Sequence, residues 1–407
     1  MIRNSTHIVA LAVVSAMALV GCSSSATDPE ASPSDALSDE CAEYMTLPAD
    51  KADGLLAVVV DGTASGRRFE DLPALREAIA HGQSQNWATV MVPVDGPGVA
   101  PTTVGPLPLD PSFGANTAVG DRAREMALTC ASGLAASDLS TPQAAGSDQL
   151  AAIAAALRMN PDAIIVASDG VPVGGLLDVE AMGFDADAEW VADQIDEAMV
   201  PTVPASVPVT WIGMGETQVP LPESARANLQ HTWGEILSAG GAKVQFDSRT
   251  GAPVGDATKE LPADSFTVPE VASIESANGS VCAVVPSALL FAANSTEITN
   301  TEGLNDIVAA LKHDPEWEAH VEGHTADFGT PDGRARTSLG RADNVKAYLQ
   351  SQGLSNTITT EGVGATKPRA NEWPDGPTGP RDLAASALNR VTVITYGPSG
   401  SLSESDC

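Results

Sequence analysis

The chain has 407 residues, of which 43% are hydrophobic and 18% charged, a composition typical of folded globular proteins. Its length exceeds what one ordinary hydrophobic core needs, so two or three domains are expected. The formal net charge is −32. This argues against a nucleic-acid-binding protein, because a polyanion is bound by clustered lysine and arginine. It also argues against electrostatic adhesion to anionic lipids, so membrane attachment requires another device.

Residues 1–21 have the pattern of a secretory signal peptide. Arg3 precedes an apolar run that is shorter than a typical membrane-spanning helix. The tetrapeptide Leu-Val-Gly-Cys that ends at Cys22 resembles the bacterial lipobox, which implies a diacylated Cys22 as the mature N-terminus. The alternative is an ordinary signal peptide with an accidental cysteine. Residues 22–48 then read as a polar tether, and we expect an exported protein, lipid-anchored to the outer face of the cell membrane or to an outer membrane.

The other four cysteines form an even set in an exported chain, which indicates two disulfides. Four cysteines allow three pairings. Because two of them flank the first half of the N-terminal domain and two bracket the C-terminal part, we expect each pair to close its own domain. The expected pairs are Cys41–Cys130 and Cys282–Cys407.

Residues 49–250 alternate apolar, strand-like runs with helical stretches. This order indicates an α/β domain with a doubly wound, mostly parallel sheet. The predicted strands are 55–60, 89–94, 163–167, 209–213 and 243–246, and the predicted helices are 72–81, 119–136, 149–157, 189–199 and 225–237.

Polar side chains directly follow two of these strands, at the edge where open α/β sheets bind ligands. Asp61, Thr63 and Ser65 come after the first strand, and Asp169 begins an Asp-Gly pair after strand 163–167. Their spacing resembles the von Willebrand factor A domain and its metal-ion-dependent adhesion site. That family pattern is Asp-x-Ser-x-Ser, a threonine on a middle loop, and a later Asp-Gly.

The resemblance implies a site for Mg²⁺ or Mn²⁺ and no organic cofactor. For the middle element, Ser147 is the candidate because it lies just before a helix, and Thr141 is the runner-up. The alternative is that Asp61 and Asp169 only cap turns and helices. A protein partner of this domain is expected, but the sequence does not identify it.

Residues 251–280, rich in Pro, Asp, Ser and Gly, are expected to form a linker, and residues 281–407 a second, α+β domain of βαβαββ order. Its predicted strands are 289–292, 318–322, 358–363 and 391–395, and its predicted helices are 304–312 and 338–352.

Short motifs in this second domain follow the order of the OmpA-like peptidoglycan-binding family. They are Gly-His-Thr at 323–325, Gly329, Ser-Leu-Gly-Arg-Ala at 338–342, Gly-Val-Gly at 362–364, Pro368 and Arg-Val at 390–391. The resemblance implies that the domain binds peptidoglycan, with Thr325 in the site motif.

The resemblance also implies how the diaminopimelate of the wall peptide is held. Arg341 matches the arginine whose guanidinium binds the ligand carboxylate in a forked geometry. The family aspartate, which receives the ligand ammonium, is replaced by Ala326, and Asp327 comes one residue late. Either Asp327 turns into the site or wall binding is weakened. The alternative for Arg341 is an ion pair on a helix face.

These features favour a non-catalytic envelope lipoprotein that tethers a membrane to peptidoglycan and presents a metal-dependent binding domain. A second hypothesis makes the first domain the partner-binding module and the OmpA-like domain a spacer. A wall-modifying enzyme is the third. The sequence contains no Gly-x-Ser-x-Gly, His-Glu-x-x-His or phosphate-binding loop motif that would favour it.

Overall fold

The structure is a computed structural model. It describes residues 39–67, 69, 71–112, 117–135, 142–193, 195, 203–204, 206–253 and 265–402. The signal segment with Cys22, the runner-up Thr141 and Cys407 lie outside these residues. The described residues form two β-sheets, and each sheet packs against its own helices.

The first sheet is mixed. Its strands are β1 (Gly54–Val60), β2 (Trp87–Pro93), β3 (Val104–Pro108), β4 (Ala163–Ala167), β5 (Pro208–Ile212) and β6 (Lys243–Asp247). Their order is β3-β2-β1-β4-β5-β6, and all neighbours are parallel except the antiparallel pair β2–β3. The helices are α1 (Asp39–Tyr44), α2 (Pro73–Ser84), α3 (Thr117–Ala135), α4 (Gln149–Leu157), α5 (Val179–Met182), α6 (Ala188–Asp193) and α7 (Glu223–Ala239).

Strand β1 is continuously apolar because both of its faces are covered. Ala57 and Val59 pack in the core that includes residues of α4 and α7. Leu56, Val58 and Val60 pack in the core that includes residues of α1, α2 and α3. Alternate side chains point to opposite faces of a strand, so helices on both faces demand an unbroken apolar run.

Strand β3 was not among the predicted strands, because its sequence Val-Gly-Pro-Leu-Pro is typical of a loop. As the edge of the sheet it has only β2 as a neighbour, and an edge strand tolerates proline because its outer side has no ladder hydrogen bonds to make. The sheet therefore has an antiparallel edge that the strand–helix alternation did not indicate.

The predicted disulfide Cys41–Cys130 is confirmed and links α1 to α3. Both cysteines are buried beside Tyr44, whose hydroxyl donates to Pro108 O at 3.1 Å. Cys282 is also disulfide-bonded, while its predicted partner, Cys407, lies outside the described residues.

The strands of the second sheet are β7 (Ala272–Glu275), β8 (Val281–Pro286), β9 (Trp317–His324), β10 (Thr357–Gly364) and β11 (Val391–Pro398). Their order is β10-β9-β11-β8-β7, with β9 and β10 parallel and the other neighbours antiparallel. The helices are α8 (Ser287–Leu290), α9 (Asn305–His313), preceded by a 3₁₀ turn at Glu302–Leu304, α10 (Pro331–Ser351) and α11 (Leu383–Asn389).

Several expectations for this region differ from the structure. The predicted βαβαββ order omits strand β8 and helix α11. The expected linker 251–280 contains β7, which pairs with β8. The expected strand 289–292 overlaps helix α8; its residues are all buried, so no apolar periodicity distinguishes helix from strand there. Helix α10 begins at Pro331 and not at 338, because Thr330 caps it by accepting from Gly333 N and proline suits the first turn.

No helix in the described part of the chain combines the length and hydropathy needed to cross a membrane.

Candidate functional site

The carboxyl ends of β1 and β4 bring four of the predicted metal-site residues together. Thr63 donates to Asp61 Oδ1 from its backbone N at 3.1 Å and from its Oγ1 at 2.6 Å. The Thr63 hydroxyl lies 3.3 Å from Ser65 Oγ, which donates to Asp169 Oδ2 at 2.8 Å. Since β1 and β4 are adjacent parallel strands, the residues that follow them meet at one edge of the sheet.

The fifth predicted residue, Ser147, lies outside this chain of hydrogen bonds. Its Oγ donates to Val171 O at 2.9 Å and accepts from Val173 N at 3.2 Å. The buried Gln149 reaches the carboxylate instead, because its Nε2 donates to Asp61 Oδ2 at 3.1 Å. Sequence reasoning missed Gln149, although a single polar residue at the start of an otherwise apolar helix was an available signal.

The four predicted residues at this edge suit a hard cation, because the side-chain atoms that could coordinate it are oxygen atoms. Thr63, Ser65 and Asp169 are buried, and the two aspartates line a cavity of about 460 Å³. The carboxylates already have protein donors, including Ser168 Oγ, which donates to Asp61 Oδ2 at 2.6 Å. A cation would therefore replace the hydrogen bonds from the Thr63 and Ser65 hydroxyls, whose lone pairs would turn towards the metal.

In the second domain, Arg341 lies on α10 and is almost completely enclosed, with 5% of its surface exposed. Its Nε donates to Ser295 O at 2.9 Å and its Nη1 to Ser287 Oγ at 3.0 Å, and its guanidinium lies 5.1 Å from the centre of the Phe291 ring. Burial lowers the pKa of the guanidinium, while the nearby Asp185 carboxylate opposes this effect. Arg341 is therefore not a surface ion-pair former.

Asp327 is held away from that guanidinium. Its Oδ1 lies 2.9 Å from Arg334 Nη1, and its Oδ2 accepts from Trp373 Nε1 at 3.0 Å. The cavity that Arg341 lines is also lined by Thr325 and Ala326 but not by Asp327. The Thr325 Oγ1 atom is buried without a hydrogen-bond partner in the described part of the chain.

This cavity, of about 260 Å³, lies between the two domains. The first domain contributes residues of α5, α6 and the loop between them. The second contributes the loop after β9, α10, α11 and neighbouring loops. The charged residues that line the cavity are Asp185, Asp187, Arg334, Arg341, Arg381 and Arg390.

Hydrogen bonds hold the two domains against each other beside this cavity. Asn228 on α7 donates to Phe291 O at 3.4 Å and accepts from Ala293 N at 2.7 Å. Arg390 Nε donates to Asp185 Oδ1 at 2.9 Å, in an ion pair whose side chains are 15% and 6% exposed. The docking of the domains thus places the carboxylate of Asp185, from the first domain, beside arginines of the second domain.

A separate cluster on the second sheet has the residue types of a metal site. Ligand atoms of His320, Glu322 and Glu361 lie within 4.8 Å of one another. However, the Lys367 ammonium lies 2.7 Å from Glu322 Oε2 and 3.6 Å from Glu361 Oε2. Because a lysine already compensates these carboxylates, we assign no metal to them.

Residues 290–376 match the OmpA family model. The peptidoglycan-associated lipoprotein of Buchnera aphidicola subsp. Baizongia pistaciae (strain Bp) is 38% identical over 96 residues, which are 23% of this chain and 51% of that protein. The chain thus spans about half the length of this curated relative.

Solved structures also resemble part of the chain, and two of them are described below. The peptidoglycan-associated lipoprotein from Burkholderia pseudomallei is 24% identical, with 26% of this chain and 86% of that chain covered and a TM-score of 0.23. A putative MotB-like protein from Desulfovibrio vulgaris is 22% identical, with 32% and 82% covered and a TM-score of 0.26. On the strength of the family match, the C-terminal part of this chain is an OmpA-like domain.

Proposed function

We propose that this protein is a non-catalytic envelope lipoprotein that tethers a membrane to peptidoglycan through its C-terminal domain. The observation that carries the proposal is the match of residues 290–376 to the OmpA family, together with a buried guanidinium, Arg341, at the interdomain cavity. The relative from Buchnera is named a peptidoglycan-associated lipoprotein, which supports the same reading.

The proposed ligand is the diaminopimelate end of a wall peptide. Arg341 would bind its carboxylate with two parallel N–H···O bonds, a geometry that a guanidinium provides and an ammonium does not. Ser287 and Ser295 hold the guanidinium in place, so little side-chain freedom is lost on binding. Asp327 is engaged by Trp373 and Arg334, so we propose that it stabilises its loop and does not contact the ligand.

Co-sedimentation of the full mature chain with purified diaminopimelate-type peptidoglycan tests this function. We expect the wild type to pellet with the wall and Arg341→Lys to lose at least ten-fold in affinity, since one charge-assisted bond contributes about 1.5–3 kcal/mol. The matched control is Arg336→Lys, an exposed arginine of the same helix, which should pellet like the wild type. A wild-type protein that stays in the supernatant would rule out wall binding.

For the first domain we propose a von Willebrand factor A-like fold that offers a metal-dependent face to a protein partner. The sheet order, with β1 and β4 in the centre, and the oxygen donors Asp61, Thr63, Ser65 and Asp169 around one cavity support this proposal. Mg²⁺ or Mn²⁺ would be held by these oxygens and would supply a coordination position for a carboxylate of the partner.

A further inference from the structure

Two charged groups at the interdomain cavity lack part of the pairing that buried charges normally have. Asp185 is 7% exposed; its Oδ1 accepts from Arg390, whereas its Oδ2 is buried without a hydrogen-bond partner among the described residues. Arg341 donates only to neutral oxygen atoms of the described chain. Such buried groups are costly unless a ligand or water completes their pairing. Both residues line the same cavity.

The other arginines of the cavity already have carboxylate neighbours. Arg334 pairs with Asp327 at 2.9 Å, and Arg381 Nε lies 3.8 Å from Glu372 Oε2. Arg390 pairs with Asp185, as described above. Arg341 is the arginine of the described cavity lining that forms no ion pair, and the Asp185 carboxylate is the nearby negative charge that acts on it. In a protein of net charge −32, this grouping of cations is a local exception that favours a ligand with a carboxylate.

The cavity is open to solvent at one rim, formed by the exposed Phe328, Gly329 and Thr330. Its volume of about 260 Å³ lies near the lower end of the roughly 300–1,000 Å³ range of small-molecule pockets. This space accommodates the end of a ligand and not a polymer strand, so the remainder of a wall peptide would leave through the rim.

We propose that the first domain completes the ligand site of the second: Asp185 receives the ammonium, and Arg341 the carboxylate, of a zwitterionic amino-acid end. The inference rests on the proposed wall-binding function and adds a residue from outside the OmpA-like domain to it. A carboxylate oxygen without a donor is a good acceptor for an ammonium group. Asp185 would thus supply the negative charge that the position of Ala326 lacks.

The proposed site requires the observed docking, because Asp185 reaches the cavity only when the domains are in contact. Gly183 permits this approach, since a Cβ there would lie 2.7 Å from Arg390 Nη2 and its φ is +76°. Asn228, which does not line the cavity, holds the domains together from α7. Substitution of Asn228 should therefore weaken ammonium recognition without removing any ligand-contacting group.

The test compares two probes by calorimetric titration of the full mature chain. Meso-diaminopimelate carries ammonium and carboxylate groups; pimelate has the same carbon chain and both carboxylates but no ammonium. We expect the wild type to bind diaminopimelate about ten- to a hundred-fold more tightly than pimelate, the range of one charge-assisted bond. Asp185→Asn should reduce this ratio towards one, whereas Arg341→Lys should weaken both probes.

Two further variants separate a specific effect on ammonium recognition from a general loss of structure. Asp178→Asn changes a nearby carboxylate that caps α5 outside the cavity, and it should keep the wild-type ratio. Asn228→Ala should lower the ratio because it displaces Asp185. The ratio is measured within each variant, so a partly unfolded sample lowers both signals equally and does not imitate the expected result.

Distinct outcomes separate this inference from the function on which it rests. If the wild type pellets with peptidoglycan but binds both probes equally, or if Asp185→Asn keeps the ratio, the wall-binding function stands and the composite site is wrong. Tighter binding by Asp185→Asn would also overturn it, because the carboxylate would then be blocking the guanidinium. If the wild type neither pellets nor binds diaminopimelate, both proposals fail.

Discussion

Asp61 accepts two hydrogen bonds at each carboxylate oxygen: Oδ1 from Thr63 N and Oγ1, and Oδ2 from Ser168 and Gln149. Donors of this kind compensate a charge at the edge of a buried sheet without a metal. Two of the hydroxyls near the aspartates, those of Thr63 and Ser65, can rotate and present lone pairs to a cation. The same geometry is therefore compatible with a capping role and with metal binding, and a binding measurement separates them.

If a cation binds here, Mg²⁺ or Mn²⁺ will raise the melting temperature of the protein, because a ligand that binds only the folded state stabilises it. At a free metal concentration of about a hundred times Kd, the rise should be roughly 5–10 °C for a domain of this size. We expect Asp61→Ala to abolish the rise and Asp121→Ala, at an exposed position on α3, to keep it. Identical melting curves in EDTA and in millimolar metal would assign Asp61 to capping alone.

Residues that meet at the ends of neighbouring strands could be predicted from sequence, whereas residues that meet across domains could not. The strand ends place Asp61 and Asp169 side by side, because the carboxyl ends of parallel strands share an edge. Asp185 and Arg390 are 205 residues apart, and no local pattern indicates their contact. Only the packing of the two domains against each other brings them together.

Helix α1 is short, with six residues, and a helix of this length is not stable alone in water. It is held by the disulfide between Cys41 and Cys130 and by the fully buried Tyr44. Burial raises the pKa of the Tyr44 phenol, so this residue stays neutral at physiological pH. The covalent link therefore fixes an element that packing alone holds weakly.

The double variant Cys41→Ser/Cys130→Ser should lower the free energy of unfolding by about 2–4 kcal/mol, because the open chain has a more disordered unfolded state. Urea unfolding under non-reducing conditions measures this change. The control is Glu43→Gln/Glu125→Gln, which alters exposed positions on the same two helices. Equal unfolding midpoints for the wild type and the serine variant would show that α1 gains nothing from the link.

Elements with a distinctive pattern were predicted with their correct bounds. Helix α4 (Gln149–Leu157) and strand β4 (Ala163–Ala167) coincide with the predicted segments, because an N-cap and the Asn-Pro pair at 160–161 punctuate them. Strand β3 and helix α8 were missed, since the first contains prolines and the second is buried on all sides. Such short segments take their conformation from their neighbours and not from their own sequence.

The protein as a whole is strongly acidic, whereas the charged residues of its interdomain cavity are mostly arginines. The chain carries 53 acidic against 21 basic residues, yet four arginines and two aspartates line the interdomain cavity. An acidic exterior keeps an exported protein soluble and away from other anionic surfaces. The proposed contact with a membrane would therefore depend on a covalent anchor, which the sequence pattern at Cys22 predicts.

The proposed anchor predicts a mature chain that begins at a diacylated Cys22. Intact-mass and peptide mass spectrometry of the protein from native membranes should find two acyl chains at that residue, because two chains are needed for stable attachment. Cys22→Ala should release the protein into the soluble fraction, while Cys282→Ala, which removes a disulfide-bonded cysteine elsewhere, should leave it membrane-bound. An unmodified N-terminus further along the chain would exclude the anchor.

The Cys41–Cys130 disulfide also determines the path that a pulling force would take through the first domain. In a protein held at Cys22 by a membrane and near Arg341 by the wall, tension would reach the first domain at Cys41. From there the covalent link carries the load directly to Cys130 and bypasses the intervening segment, across a sequence separation of 89 residues. Strands β1, β2 and β3 all lie within this bypassed segment. Stretching of the cell envelope would therefore put no direct tension along the backbone of β1, β2 and β3.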